Sequence, residues 1–202
     1  MVNHVKEFIF RFNASIYDYY ACKRFKLHTS PPISKSELII RSGFIDNNGF
    51  MAAYLYNVKT IMKEIATQDS ISKVVDIGSG DGRLLSFVCR TNHNIDGVGI
   101  EIDRHLYDFS IDFNSRHNCK FFNSNALDFD FRFEQNTLIF IFHSFGEVNV
   151  SAIFRKIITQ NVNSNVNIYV AYINDVHKSL LIDLGIQNIR EWGHRKMSLW
   201  KV

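Results

Sequence analysis

Covalent and metal staples are scarce in this chain of 202 residues. Its three cysteines, Cys22, Cys89 and Cys119, stand far apart, are odd in number and form no Cys-x-x-Cys or Cys/His ligand spacing. That pattern excludes a disulfide framework and argues against structural zinc, so each cysteine reads as a small buried apolar residue and no metal site is expected. Long hydrophobic runs are missing as well. The best candidate, Thr137-Leu138-Ile139-Phe140-Ile141-Phe142, falls far below the roughly 18 residues of a membrane-spanning helix. The start, Met1 to Glu7, brings an acid ahead of the main apolar residues and lacks an apolar block with a small-residue cleavage site. A secretory signal is therefore not expected, and the cytoplasm is the expected location. Charge of one sign is not in excess either: 23 Lys and Arg against 20 Asp and Glu leave +3. This falls short of the concentrated basic footprint of a dedicated nucleic-acid binder, so DNA is not an expected partner. Prolines number two, both at Pro31-Pro32, and no internal repeat or low-complexity segment stands out.

What is present describes an ordinary globular chain, 46% hydrophobic and 21% charged, of a length that suits one domain over residues 1–202. Val5, Phe8, Phe12, Ile16, Tyr19 and Tyr20 recur at helical spacing, with Lys6, Arg11, Lys23 and Arg24 among them. The spacing predicts an amphipathic helix that lays its aromatic face on the main domain, with peripheral membrane contact as the alternative. A polar link, the turn-rich stretch Ser42 to Gly49 and a second helix from Phe50 to Ile65 complete a helical extension over residues 1–66.

From residue 73 the texture changes. Val74–Ile77, Gly97–Ile102, Lys120–Phe122, Leu138–Phe142 and Val166–Tyr172 read as strands, and Gly82–Cys89, Arg104–Arg116, Val150–Thr159 and Val176–Leu184 as helices. Such alternation predicts a parallel sheet covered on both faces. Ile186–Trp192 and Lys196–Val202 flank Gly193-His194-Arg195 as a hairpin does. The expected fold is α/β: a doubly wound, mostly parallel seven-stranded sheet with a C-terminal antiparallel hairpin and an N-terminal helical extension.

The first strand feeds Asp76-Ile77-Gly78-Ser79-Gly80-Asp81-Gly82-Arg83. Glycines between a buried strand and a helix let backbone N–H groups and the positive helix end approach a ligand. A dinucleotide fingerprint starting at Gly78 requires a third glycine at position 83, which is Arg83. Nicotinamide chemistry loses ground on that count.

The acid-x-Gly-x-Gly-x-Gly run from Asp76 through Gly82 resembles the first motif of class I S-adenosyl-L-methionine (SAM)-dependent methyltransferases, and the resemblance extends over residues 71–202. It implies that Asp76, Gly78, Ser79, Gly80 and Gly82 form the cofactor loop. It also places Glu101, followed by Ile102, at the second strand's end as the acid accepting from both ribose hydroxyls, a task suited to two acceptor oxygens. After the third strand, Asn125 takes the polar position at the adenine edge and Ala126 the small residue whose N–H faces the ring. Asp128 is the alternative to Asn125 if the turn shifts register. The run with Gly-Ile-Glu-Ile-Asp is also similar to the branch containing protein-lysine methyltransferases, although an equivalent core serves small-molecule and RNA methylation.

After the fourth strand, where the family's transferable methyl group lies, the chain reads His143-Ser144-Phe145-Gly146-Glu147. This departs from the Asn/Asp-Pro-Pro-Tyr of amine-methylating members and matches only the aromatic. His143 is the candidate catalytic residue, able to take a proton from a nucleophile, while Glu147 suits a helix start. The resemblance also places the loop Phe44 to Gly49, with the helix carrying Tyr54 and Tyr56 after it, where relatives have a segment that closes over the methionine end of SAM, with packing on the domain as the leading alternative. The competing expectations are a SAM-binding regulatory module without catalysis and, less favoured, a NAD-dependent oxidoreductase.

Overall fold

Among the described residues, seven strands form one sheet in the order β3-β2-β1-β4-β5-β7-β6. The computed structural model of the chain describes residues 2–43, 49–116, 118–142 and 145–202. The strands are β1 (Lys73–Ile77), β2 (Asp96–Glu101), β3 (Cys119–Asn123), β4 (Thr137–Phe142), β5 (Ile168–Ile173), β6 (Gln187–Trp192) and β7 (Met197–Lys201). β1 pairs in parallel with β2 on one side and β4 on the other, and the order continues in parallel to β3 and β5. Only β7 runs antiparallel, between β5 and β6. Strand order therefore reverses at β1, and the carboxyl ends of β1 and β4 border the crevice where open α/β sheets bind ligands.

The central strands are apolar on both sides because both sides are covered. Along β4 the residues alternate between two cores: Leu138 and Phe140 face one, Ile139 and Ile141 the other. The first core is closed by α3 (Leu55–Ile65) and α4 (Arg83–Thr91), through residues such as Val58, Ile61, Leu85 and Val88. The second is closed by α6 (Glu147–Asn161) and α7 (Ser179–Asp183), through Val150, Ile153, Phe154, Ile157 and Leu181. This is the doubly wound α/β arrangement that the sequence implies. The segment read as one helix from Arg104 divides into α5 (Arg104–Phe109), capped by Asp103, and a single π turn over Ser110–Asn114.

Three details of the N-terminal part correct the sequence reading. First, α1 (Val2–Phe25) does not lay its aromatic stripe on the domain. Phe8, Phe12, Tyr19 and Tyr20 are 60–71% exposed, whereas Ala14, Asp18 and Ala21 are buried. The small side chains let the helix approach closely, and Asp18 meets the Arg83 guanidinium at 3.3 Å. A close backbone approach and a buried ion partner thus select the inner face over the longer aromatic stripe. Phe10, Tyr17 and Phe25 flank it, with Phe10 against Tyr54 and the other two edge-on to Phe87.

Second, the supposed polar link contains α2 (Lys35–Ser42). The Ser34 hydroxyl accepts the Glu37 N–H at 3.3 Å, and Gly43 ends the helix in left-handed backbone at φ 75°. Third, α3 begins at Leu55 and not at Phe50. Phe50 instead forms an isolated antiparallel bridge to Ile33, which brings the stretch before α3 over the sheet's crevice.

Candidate functional site

The cleft at the carboxyl ends of the parallel strands is lined by Asp76, Gly78 and Ser79 from the first loop, Glu101 and Ile102 from the end of β2, and Asn125 and Ala126 after β3. Residues from three separate turns that were singled out in the sequence thus meet in one cavity. Asp128 is not among its lining residues. His143 and Ser144 lie outside the described residues, as do residues 44–48 of the loop expected to close the site.

The loop is fixed at its start by the Gly78 and Ser79 N–H groups, which both donate to the Ile100 carbonyl at 2.9 and 3.0 Å. Gly78, Gly80 and Gly82 all take left-handed backbone. At Gly80 the requirement is steric as well as torsional, since a Cβ would sit 2.2 Å from the Phe50 ring. Gly80 and Gly82 accordingly shape the loop without lining the cavity: Phe50 covers the first, and Phe121 and Ser110 crowd the second.

Glu101 is the centre of the hydrogen-bonding pattern. One carboxylate oxygen accepts the Gly80 N–H at 2.7 Å and the other the Asp103 N–H at 2.8 Å. Both oxygens are held in place, and each keeps acceptor capacity for a further donor. Burial pushes the Glu101 carboxyl from its usual 4.5 up to about 7 against the counteracting pull of those two amides. Asp76 lies well above the usual carboxylate range because it is buried and faces Glu101 and Asp81. Asp81 is raised by burial, opposed by the N–H groups of Ser30 and Arg83. Three carboxyl groups therefore gather beneath one loop.

Arg83 lines the cleft, but its charge is already engaged. Arg83 Nη2 donates to the Ala53 carbonyl at 2.5 Å and to Asp18 at 3.3 Å. The guanidinium therefore ties α1 and the stretch before α3 to the start of α4. Sequence reading registered Arg83 only as a missing glycine, because neither partner lies nearby in the chain. Asn114 reinforces the same corner by donating to the carbonyls of Asp81 and His28 at 2.7 and 3.0 Å.

Phe142 and Phe145 line the cavity from the end of β4, the stretch that the sequence reading assigns to the transferable methyl group, whereas Leu38, Phe50, Met51 and Ala53 from the N-terminal segment and Asn174 after β5 were not foreseen. Leu38 and Phe50 belong to a small third core with Ile33 and Leu106, so this segment has its own apolar seat on α5. The Ser34-x-x-Glu37 capping pattern is the sequence signal that could have revealed the helix carrying Leu38. Asn125 Oδ1 accepts the Leu127 N–H at 2.9 Å, a local turn that holds the residue at the cavity. Among the described residues, no group of three His, Cys, Asp or Glu side chains is placed to hold a metal ion.

No family model matches the chain, and no curated protein matches it in sequence. Solved structures match it in shape. Magnesium protoporphyrin IX methyltransferase from Synechocystis, crystallised with bound SAM, superposes with a TM-score of 0.53 at 9% identity, over 93% of this chain and 95% of that one. A SAM-dependent methyltransferase from Leishmania major gives 0.53 at 14% identity, over 72% and 70%. Mitomycin 7-O-methyltransferase gives 0.52 at 14% identity over 73% of this chain, which spans about half (52%) of that protein's length. The chain has the class I SAM-dependent methyltransferase fold.

Proposed function

We propose that this chain binds SAM in the cleft at the ends of β1, β2 and β3 and transfers its methyl group to an acceptor. The observation that carries the reading is Glu101, a carboxylate fixed by two backbone amides at the end of β2, with both oxygens still able to accept. That arrangement suits the vicinal hydroxyls of a ribose. The buried Ser79 hydroxyl has no hydrogen-bond partner among the described residues and lines the same cavity, which leaves a polar group for a ligand to satisfy.

Charge separates SAM from a dinucleotide. Asp76, Asp81 and Glu101 gather three carboxyl groups at this corner, which a cationic ligand helps to ionise, and Arg83, the guanidinium that lines the cavity among the described residues, is already held by Asp18 and the Ala53 carbonyl. A cationic sulfonium and ammonium ligand is favoured there, whereas a pyrophosphate meets like charge. Asn125 spends Oδ1 on the Leu127 amide and so offers Nδ2 as the donor to a ring nitrogen of adenine. Ala126 is small enough for its backbone to approach the ring.

When bound, SAM supplies a methyl group already activated by its sulfonium. The protein's task is then alignment and exclusion of water, effects worth roughly 7 to 11 kcal/mol in favourable intramolecular models. Phe50 and Met51 from the N-terminal side and Phe142 and Phe145 from the far wall supply the apolar enclosure. We assign His143 the role of accepting a proton from the incoming nucleophile.

Titration calorimetry with SAM and S-adenosylhomocysteine tests the binding step, and absence of detectable heat with both ends the proposal. Incubation with tritiated SAM and fractionated cell extract then sorts the acceptor into protein, RNA or small molecule. Equal labelling by wild type and His143→Ala removes the role assigned to that histidine.

A further inference from the structure

The outer face of α1 is apolar, exposed and bordered by cations. Phe8, Ile9, Phe12, Ile16, Tyr19 and Tyr20 project from one side of the helix with 42–71% of each exposed. Ile16 and Tyr19 to Tyr20 enclose a shallow groove with Phe12 and Ser15. Four aromatic and two aliphatic side chains at this exposure present on the order of 600 Å² of apolar surface, at the upper end for the largest patch on a monomeric protein. Hydration of such a surface is unfavourable, and the opposite face of the same helix is already satisfied by the domain.

The charges along the helix are mostly of one sign. Lys6, Arg11, Lys23 and Arg24 are exposed along the helix, with Lys26 just beyond it. The helix contains two acids: Glu7 is spent on Arg11 at 2.6 Å, and Asp18 is buried against Arg83. The remaining charged residues of α1 are all basic. Lys6 and Lys23 stand about 25 Å apart at opposite ends of it. An antiparallel pairing of two copies through this face sets Lys6 of each near Lys23 and Arg24 of the other, like charge against like. A parallel pairing aligns each cation with itself. Self-association is therefore opposed by the same residues that favour an anionic surface.

We propose that α1 docks this protein on anionic lipid bilayers, lying in the plane of the interface with Phe8, Phe12 and Ile16 among the acyl chains and Lys6, Lys23 and Arg24 at the headgroups. The arrangement is that of an interfacial helix: aromatic and aliphatic residues on one face, cations along its borders, and too little apolar length to span. Among the described residues no helix is long and apolar enough to cross a membrane. Because the inner face of α1 holds Asp18 on Arg83, docking fixes the orientation of the SAM cleft relative to the bilayer.

The test is co-sedimentation of the full chain with phosphatidylcholine vesicles, with and without about one-third phosphatidylserine. Binding is expected to the anionic vesicles and to fall steeply in about 0.5 M NaCl. The double variant Phe12→Ser/Tyr19→Ser is expected to lose roughly tenfold in lipid affinity or more. Circular dichroism and thermal melting of that variant should match wild type, because both side chains are solvent-facing in the free protein. Failure to bind anionic vesicles at millimolar lipid overturns the proposal, as does equal binding by wild type and the double variant. A concentration-dependent dimer that Phe12→Ser/Tyr19→Ser dissolves also overturns it and assigns the face to a second copy. None of these outcomes depends on SAM binding.

Discussion

Glu101 concentrates the residue-scale chemistry, because it must be both buried and charged to serve as a ribose acceptor. Its carboxyl sits near 7 against 4.5 in an open chain, so the native state holds a proton that the unfolded state has released. Between those values the native state binds more protons than the unfolded one, and ligand-free stability falls as pH rises from about 4.5 toward 7. SAM hydroxyls favour the charged form, which gives affinity the opposite slope: it rises as pH approaches and passes 7, then levels. Calorimetry from pH 6 to 8 alongside melting curves of the ligand-free protein checks both signs. Glu101→Gln sets an amide NH₂ against either the Gly80 or the Asp103 N–H and removes one acceptor. We expect a loss of about 2 kcal/mol or more in SAM binding, roughly thirtyfold in Kd. At Gly80, alanine adds a Cβ 2.2 Å from Phe50 in left-handed backbone. The torsion alone costs about 1–2 kcal/mol, and displacement of the Phe50 ring adds to it, readable as a lower urea midpoint and weaker SAM binding. Gly80 and Glu101 were both legible in the sequence, since glycine and acid spacing is a local pattern. Phe50 was not, because its role depends on a bridge to Ile33 that no periodicity announces.

At the scale of elements, strands were easier to read than helix faces. β4 and β5 are continuous apolar runs buried on both sides, and no other element type competes for Leu138-Ile139-Phe140-Ile141. α1 misled for a physical reason: its densest apolar stripe is not the one that packs, since Ala14 and Ala21 allow a closer approach than Phe12 and Tyr19 do. α2 escaped notice because eight residues give too few turns for a periodic signal, and only Ser34 and Glu37 mark it. Arg83 joins these elements. Replacing it with methionine leaves Asp18 as a buried charge and the Ala53 carbonyl without its donor. Loss of one partner of a buried pair typically costs about 3–5 kcal/mol. We expect Arg83→Met to lower stability by about 3 kcal/mol in urea titration and to weaken SAM binding through the displaced stretch before α3.

On the scale of the whole molecule, the cavity wall is drawn from residues 38 to 174, so a bound ligand contacts the N-terminal segment, the central strands and the turn after β5 together. SAM at a hundred times its Kd should therefore stabilise the entire chain as one cooperative unit, by about 2.7 kcal/mol. A single melting transition that moves upward with ligand is the expected result; separate transitions for residues 1–66 and the remainder would contradict it. The Asp18–Arg83 pair has a further consequence for how such a sequence can diverge. Each residue is costly to change alone, yet replacing both by apolar residues of similar volume can be nearly neutral. Positions 18 and 83 should thus change together in descendants of this chain, with Asp18→Leu/Arg83→Met recovering much of the stability that Arg83→Met loses. Asp18 on α1 is in this way bound to the inheritance of Arg83, sixty-five residues further along the chain.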